Sequence, residues 1–222
     1  MISTARSLAR WSVATLALVA TIGVLTACSL MAPSRMPDMK LYTLDGDPSP
    51  PGKSEGTLTV SVAPLRSASG FDSPRMAYVR SEHQLEYYTQ SAWVESPADM
   101  LAPILVRAVV HNGAFRASVA AGGTAQSDLR LEAEVLLFQQ EFDSTPSRAR
   151  LKLRVTLVAN AGRRLLATRV FESVADARSA DAAGGVGAAN LAALQLVSDI
   201  ADWSGTVART EFTRQSSAAS SH

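Results

Sequence analysis

The 222-residue chain has one cysteine, Cys28, and only three histidines and three lysines. A single cysteine excludes an internal disulfide, so the fold must rest on its apolar core. The histidines offer little for a metal centre or a catalytic base. His222 lies in the tail, His83 in a short turn, and His111 at the end of a helical pattern, where positive charge is mildly favourable. These positions read as structural or surface ones. No H-x-x-x-H, C-x-x-C or G-x-S-x-G spacing occurs. With 21 basic and 20 acidic residues the charge is balanced, and there is no basic stripe of the kind that binds a phosphate backbone. The sequence therefore gives no catalytic residue, no metal ligand, no cofactor site and no nucleic-acid partner.

The longest apolar run, Trp11 to Leu25, is too short for a comfortable membrane span. Arg6 and Arg10 precede it, and Leu25-Thr26-Ala27-Cys28 closes it. This order of positive segment, apolar run and small residues before a cysteine reads as a lipoprotein signal peptide over residues 1–27, with Cys28 as the acylated residue, in preference to a plain signal peptide or an anchor helix with an incidental cysteine. Two or three acyl chains, at about 0.8 kcal/mol per buried CH₂, hold a protein on a membrane far better than one. Ser29 follows Cys28, where an aspartate would argue for retention at the inner membrane; serine points outward, to the outer membrane. Removing Arg6 and Arg10 leaves 19 basic against 20 acidic residues, a net charge of −1.

Residues 28–39 read as a polar, proline-bearing tether. Lys40 to Leu44 is a short strand candidate, and Asp45 to Gly56, with three prolines and three glycines, is a loop. Thr57 to Ala63 alternates Leu58, Val60 and Val62 with polar residues and stops at Pro64. After an irregular stretch from Arg66 to Pro74, Met76–Arg80 and Gln84–Tyr88 form a hairpin rich in aromatic and branched residues. Ser96-Pro97-Ala98-Asp99 then opens a helix with a cap, a first-position proline and a first-turn acid. Leu101, Ile104, Leu105 and Ala108 make its buried face, and Asn112-Gly113 ends it.

Phe115 to Ala120 is a further strand candidate. Three longer segments follow: Asp128–Phe142, Arg150–Ala159 and Arg164–Glu172. In the first, Leu129, Leu131, Ala133, Val135 and Leu137 share one face; in the second, Leu151, Leu153, Val155 and Leu157 do. Acidic outward residues on one and basic ones on the next suit adjacent antiparallel strands, and Asn160-Ala161-Gly162 suits a tight turn. Asp181 to Gly187 reads as a small-residue loop before a helix from Ala188 to Thr210, with Leu191, Leu194, Val197, Ile200 and Ala201 on its apolar side. Residues 213–222 read as a disordered tail. The whole predicts an α+β fold: one domain over residues 40–212, a mainly antiparallel sheet with both helices packed on one face.

Two constellations resemble sites. Glu132 and Glu134 form a carboxylate pair, but on the solvated face of a strand among other charges. Gly184-Gly185-Val186-Gly187 is superficially a phosphate cradle, but Asn190 stands where a third glycine belongs and no βαβ unit surrounds it. Tyr78, Tyr87, Tyr88 and Trp93 carry more weight. They either fill the core between hairpin and helix or face outward as part of a protein or lipid contact.

The same stretch carries a family likeness. Ala77-Tyr78-Val79-Arg80, Leu85-Glu86-Tyr87-Tyr88, Trp93, Pro97, Met100-Leu101 and Leu105, preceded by Tyr42-Thr43-Leu44, resemble the ABC-type transport auxiliary lipoprotein family. The resemblance implies a non-enzymatic outer-membrane lipoprotein on the periplasmic side. Such a protein anchors or receives the periplasmic MCE-domain protein of a lipid-transporting ABC system, with ATP hydrolysis in a separate subunit. The free strand edges of an open sheet provide for pairing between copies, giving a homo-oligomer. The alternative is a lipoprotein that assists export or assembly of an envelope polysaccharide or lipopolysaccharide, because a fold of this kind does not separate the two.

Overall fold

In the computed structural model of the chain, residues 38–47, 56–120 and 126–219 are described. Cys28 and Ser29 lie outside them. Nine strands form one mixed sheet: β1 (Lys40–Tyr42), β2 (Thr59–Val62), β3 (Arg66–Ser67), β4 (Arg75–Val79), β5 (Leu85–Trp93), β6 (Ala117–Ala120), β7 (Leu129–Glu141), β8 (Arg148–Ala159) and β9 (Arg164–Asp176). Among the described residues two α-helices accompany them, α1 (Pro97–His111) and α2 (Ala182–Ala219).

The sheet is built on β7. Along one edge it pairs with β8 in an antiparallel ladder, and β8 pairs in turn with β9. These are the three segments whose alternation marks them in sequence, joined as a meander. Glu134 stands opposite Arg154 in the register, and their side chains meet at 2.7 Å. The other edge of β7 is lined by β2, β3 and β4 in turn, each parallel to it. From that edge the sheet forks: β2 pairs with β6, while β4 pairs with β5 as the expected hairpin and β5 with β1. The long ladders are antiparallel and the short joins are parallel, so the α+β sheet is mostly antiparallel.

Three local expectations are corrected. The pairing of β7 with β8 shifts between Val135 and Leu137, so Phe138 turns into the core and Leu137 is only half-buried. The bulge inverts the phase of the alternation. The segment Asp181–Gly187 is not a loop. Asp181 Oδ1 accepts the Gly184 N–H at 2.8 Å, and α2 starts at Ala182. Leu191, placed on the apolar side of α2 by its size, is exposed; Val197, Ile200 and Ala201 are buried as expected, and Ala189, Ala192, Ala193 and Leu196 join them. Small residues dominate this buried face because the helix lies close to the sheet.

Helix α2 also continues past residue 212 to Ala219. The hydroxyls of Thr206, Thr210, Thr213, Ser216 and Ser217 each donate to the carbonyl four residues earlier, so these small polar residues remain helical. In α1, Ser96 Oγ accepts the Asp99 N–H, and Leu101, Ile104, Leu105 and Ala108 are buried. Both helices cover one face of the sheet. Leu131, Val135, Leu151, Leu153, Val155 and Leu157 of the central strands are fully buried beneath them.

Candidate functional site

The hairpin, the end of β7 and the first turn of α2 converge on a small polar nest. Tyr78, opposite Gln140 in the β4–β7 register, shares a face with it. Tyr88 stands on that face by the ordinary alternation of a strand: Tyr78 is paired with Glu86, and Tyr88 lies two residues further along β5. Its hydroxyl donates to Gln140 Oε1 at 2.9 Å, and Gln140 Nε2 donates to Ser147 Oγ at 3.0 Å. Gln140 is only 4% exposed, so both ends of its amide have partners where water does not reach. The backbone of Gly185 lies directly over this amide, where a Cβ would stand 2.1 Å from Oε1. Met76, Trp93, Phe138 and Ala189 complete the walls of a cavity of about 10 Å³. That is room for roughly one water.

The nest is electrostatically quiet. Burial, then the negative charge of Asp181, pushes the Tyr88 phenol up to about 12. It therefore stays protonated and serves as a hydrogen-bond donor. Tyr78 is also raised, first by its 2.9 Å hydrogen bond to Glu86 and then by burial. Asp181 is held below the ordinary carboxylate range by the Gly184 N–H and the Ser179 hydroxyl. Its role is to cap α2.

Of the aromatics singled out in sequence, Trp93 is core, 4% exposed and edge-on to Phe138 at 5.3 Å. Tyr78 is buried and packs at 4.7 Å against Tyr88, which is half-buried. Tyr87 takes the opposite face. Its hydroxyl donates to the Gly70 carbonyl and the Arg75 guanidinium stacks over its ring at 3.9 Å. The hairpin thus supplies both faces of the sheet with aromatic surface. Sequence reasoning missed Gln140, Ser147 and the purpose of Gly185. The available signal was Gln139-Gln140 directly after the apolar run Val135–Phe138 in β7.

The face of β7–β9 away from the helices is a ladder of ion pairs. Glu141 accepts from both Arg148 and Arg150, at 3.0 and 2.8 Å. Glu172 accepts from Arg150 and from Lys152. Burial pushes the Glu141 carboxyl up, but hydrogen bonds from Arg150, Gln139 and Arg148 outweigh it and hold it below its ordinary value. Glu172 is lowered by Lys152 and then by Arg150. Glu132 pairs with Arg130 and Glu134 with Arg154, so the two carboxylates are not directed at a common point. An open groove of about 230 Å³ lies where Gly56, Leu58 and Ala114 meet Ala208, Arg209 and Phe212 of α2. No group of three or more metal-ligating side chains occurs among the described residues.

The model of the ABC-type transport auxiliary lipoprotein component family matches residues 42–201. The chain belongs to this family. No curated protein matches it. Among solved structures, a Xanthomonas campestris protein assigned to the family DUF330 superposes with a TM-score of 0.70 at 22% identity, over 78% of this chain and 99% of its own. A second, uncharacterized protein gives a TM-score of 0.60 at 16% identity, over 74% of this chain and 97% of its own. These likenesses show that the fold recurs. The family match runs from the last residue of β1 to the middle of α2, so the aromatic hairpin and the nest lie inside the auxiliary lipoprotein domain.

Proposed function

We propose that this auxiliary lipoprotein is anchored by acylated Cys28 to the periplasmic side of the outer membrane and binds the periplasmic MCE-domain protein of an ABC system that moves lipid between the membranes. Its contribution is binding rather than chemistry. The match of residues 42–201 to the auxiliary lipoprotein family carries the reading. Support for a binding role comes from the titratable groups. Displaced acids such as Glu141, Glu172 and Asp181 are each engaged by donors of the fold itself: arginines and a glutamine, an arginine and a lysine, and a backbone N–H with a hydroxyl.

The test is to delete the chain and follow transfer of a labelled phospholipid between the membranes. Slower transfer, restored by the wild type and not by Cys28→Ala, is expected. Ser29→Asp should move the protein to the inner membrane and fail to restore transfer. Unchanged transfer together with reduced surface polysaccharide would overturn this reading.

A further inference from the structure

We propose that the outward face of the β1–β5 edge is a membrane-docking surface, resting on the bilayer that takes the Cys28 acyl chains; the inference rests on the lipidation reading above. In this corner of the sheet Leu41 is paired with Ala92 and Tyr42 with Trp93. Trp93 points into the core, so Leu41 and Ala92 share the face turned away from the helices. Leu41 is 62% exposed and Met39, just before the strand, 54%. Val94, whose N–H bonds the Tyr42 carbonyl at 2.8 Å at the end of the pair, is 48% exposed. Three large apolar side chains thus stand in solvent around one three-residue strand.

Charge distinguishes this corner from the ion-pair ladder of β7–β9. On β7–β9 the cations Arg148, Arg150, Lys152 and Arg154 all meet carboxylates. Arg75, paired in register with Ala92 and so on the same face as Leu41, forms no ion pair among the described residues. It stacks on Tyr87 and reaches only the Ser73 hydroxyl, at 3.4 Å. An unneutralised arginine and a tyrosine beside exposed aliphatic side chains is the composition that settles at headgroup level, where phosphate is available to the cation.

The occupant is fixed by the tether. Ten residues separate Cys28 from Met39, a span of at most about 40 Å when fully extended. The first described strand is therefore confined close to the bilayer. A linked second contact forms at an effective concentration in the millimolar range, so a patch too small to bind membrane alone suffices.

Acylation consumes the Cys28 thiol, which leaves a cysteine introduced by Leu41→Cys as the sole reactive thiol. The full lipoprotein carrying this substitution, labelled with the polarity-sensitive fluorophore NBD, would be reconstituted in phosphatidylethanolamine–phosphatidylglycerol vesicles. Val170→Cys, labelled in the same way, serves as the control. The label at position 41 should shift to the blue, resist aqueous iodide and be quenched by lipid-borne nitroxide, while that at position 170 remains aqueous. Adding Met39→Glu and Val94→Glu should return the label at 41 to water. Vesicle-bound protein whose label at 41 is as open to iodide as that at 170 would overturn the proposal. So would a label shielded from iodide yet untouched by lipid nitroxide, which means cover by protein. Failure to float with vesicles would overturn the lipidation reading itself, and this inference with it.

Discussion

Gly185 and Gly187 stand two residues apart in the first turns of α2, and their replacement by alanine should have opposite effects. In an open helical position Gly→Ala stabilises by about 1 kcal/mol. At Gly187 nothing lies within 4 Å of the added Cβ, so Gly187→Ala should show most of that gain. At Gly185 the Cβ falls 2.1 Å from Gln140 Oε1 and 2.6 Å from Cδ. The amide cannot swing aside freely, because it is held between Tyr88 and Ser147. Displacing it leaves buried groups unsatisfied at about 1–3 kcal/mol each, and overpacking adds a similar amount. With the helix gain subtracted, Gly185→Ala should cost about 2–3 kcal/mol, or roughly 4–12 °C in Tm for a domain of this size. Urea and thermal unfolding followed by circular dichroism measure both variants. The double variant Gly185→Ala/Gln140→Ala should be less destabilised than the sum of the singles, because the clash is gone. A Gly185→Ala protein as stable as the wild type would refute the steric argument.

Glu211 is 2% exposed and ion-paired to Arg164, so Arg164→Ala should destabilise by about 1–3 kcal/mol by weakening the support of a buried carboxylate. Arg214→Ala, which removes only a 3.5 Å contact, should cost under about 1 kcal/mol in the same urea titration. Asp128 is lowered first by the Thr59 N–H, and Glu141, Glu172 and Asp181 are lowered with it. Depressed carboxyls stabilise the fold above the unfolded value of about 4, and that contribution is lost as pH falls through and below it; Tm should drop from pH 5 toward pH 2. Tyr88 has the opposite sign. Its pKa rises from the ordinary 10.0 to about 12, so its contribution is intact below pH 10 and lost between the two values, and Tyr88→Phe should flatten that alkaline limb of the Tm profile. Trp93→Ala should cost about 3–5 kcal/mol, read from the urea midpoint, because it empties a core position against Phe138.

How far the sequence discloses the fold depends on element length. The meander β7–β8–β9 is legible because a dozen alternating residues per strand establish a period, and because Glu134 and Arg154 carry opposite charges on facing positions. Helix α1 is legible from Ser96, Pro97 and Asp99 at its start and from one apolar face. The parallel joins of β2, β3 and β4 to β7 are not. Two to five residues contain too little pattern to specify a partner, and the partner lies far along the chain. Nor is the start of α2. Glycines suggest a loop until the sheet beneath them is known, and only Gln140 explains why Gly185 has no side chain. The bulge at Val135–Leu137 hides Gln140 in the same way, by inverting the face on which each following residue falls. The aromatic hairpin is recognisable as a unit, and adjacent Tyr87 and Tyr88 must serve opposite faces, yet which of them meets the core is set by the register of β5 against β4, which these short segments do not disclose.

The central claim is that this family member, tethered through Cys28, works by binding an MCE-domain protein. The most direct measurement is affinity capture of the full acylated lipoprotein from detergent-solubilised envelopes, with the co-purifying proteins identified by mass spectrometry. Recovery of an MCE-domain protein together with its permease and ATPase is the predicted result. Recovery of polysaccharide-export or other envelope-assembly proteins in their place would contradict it.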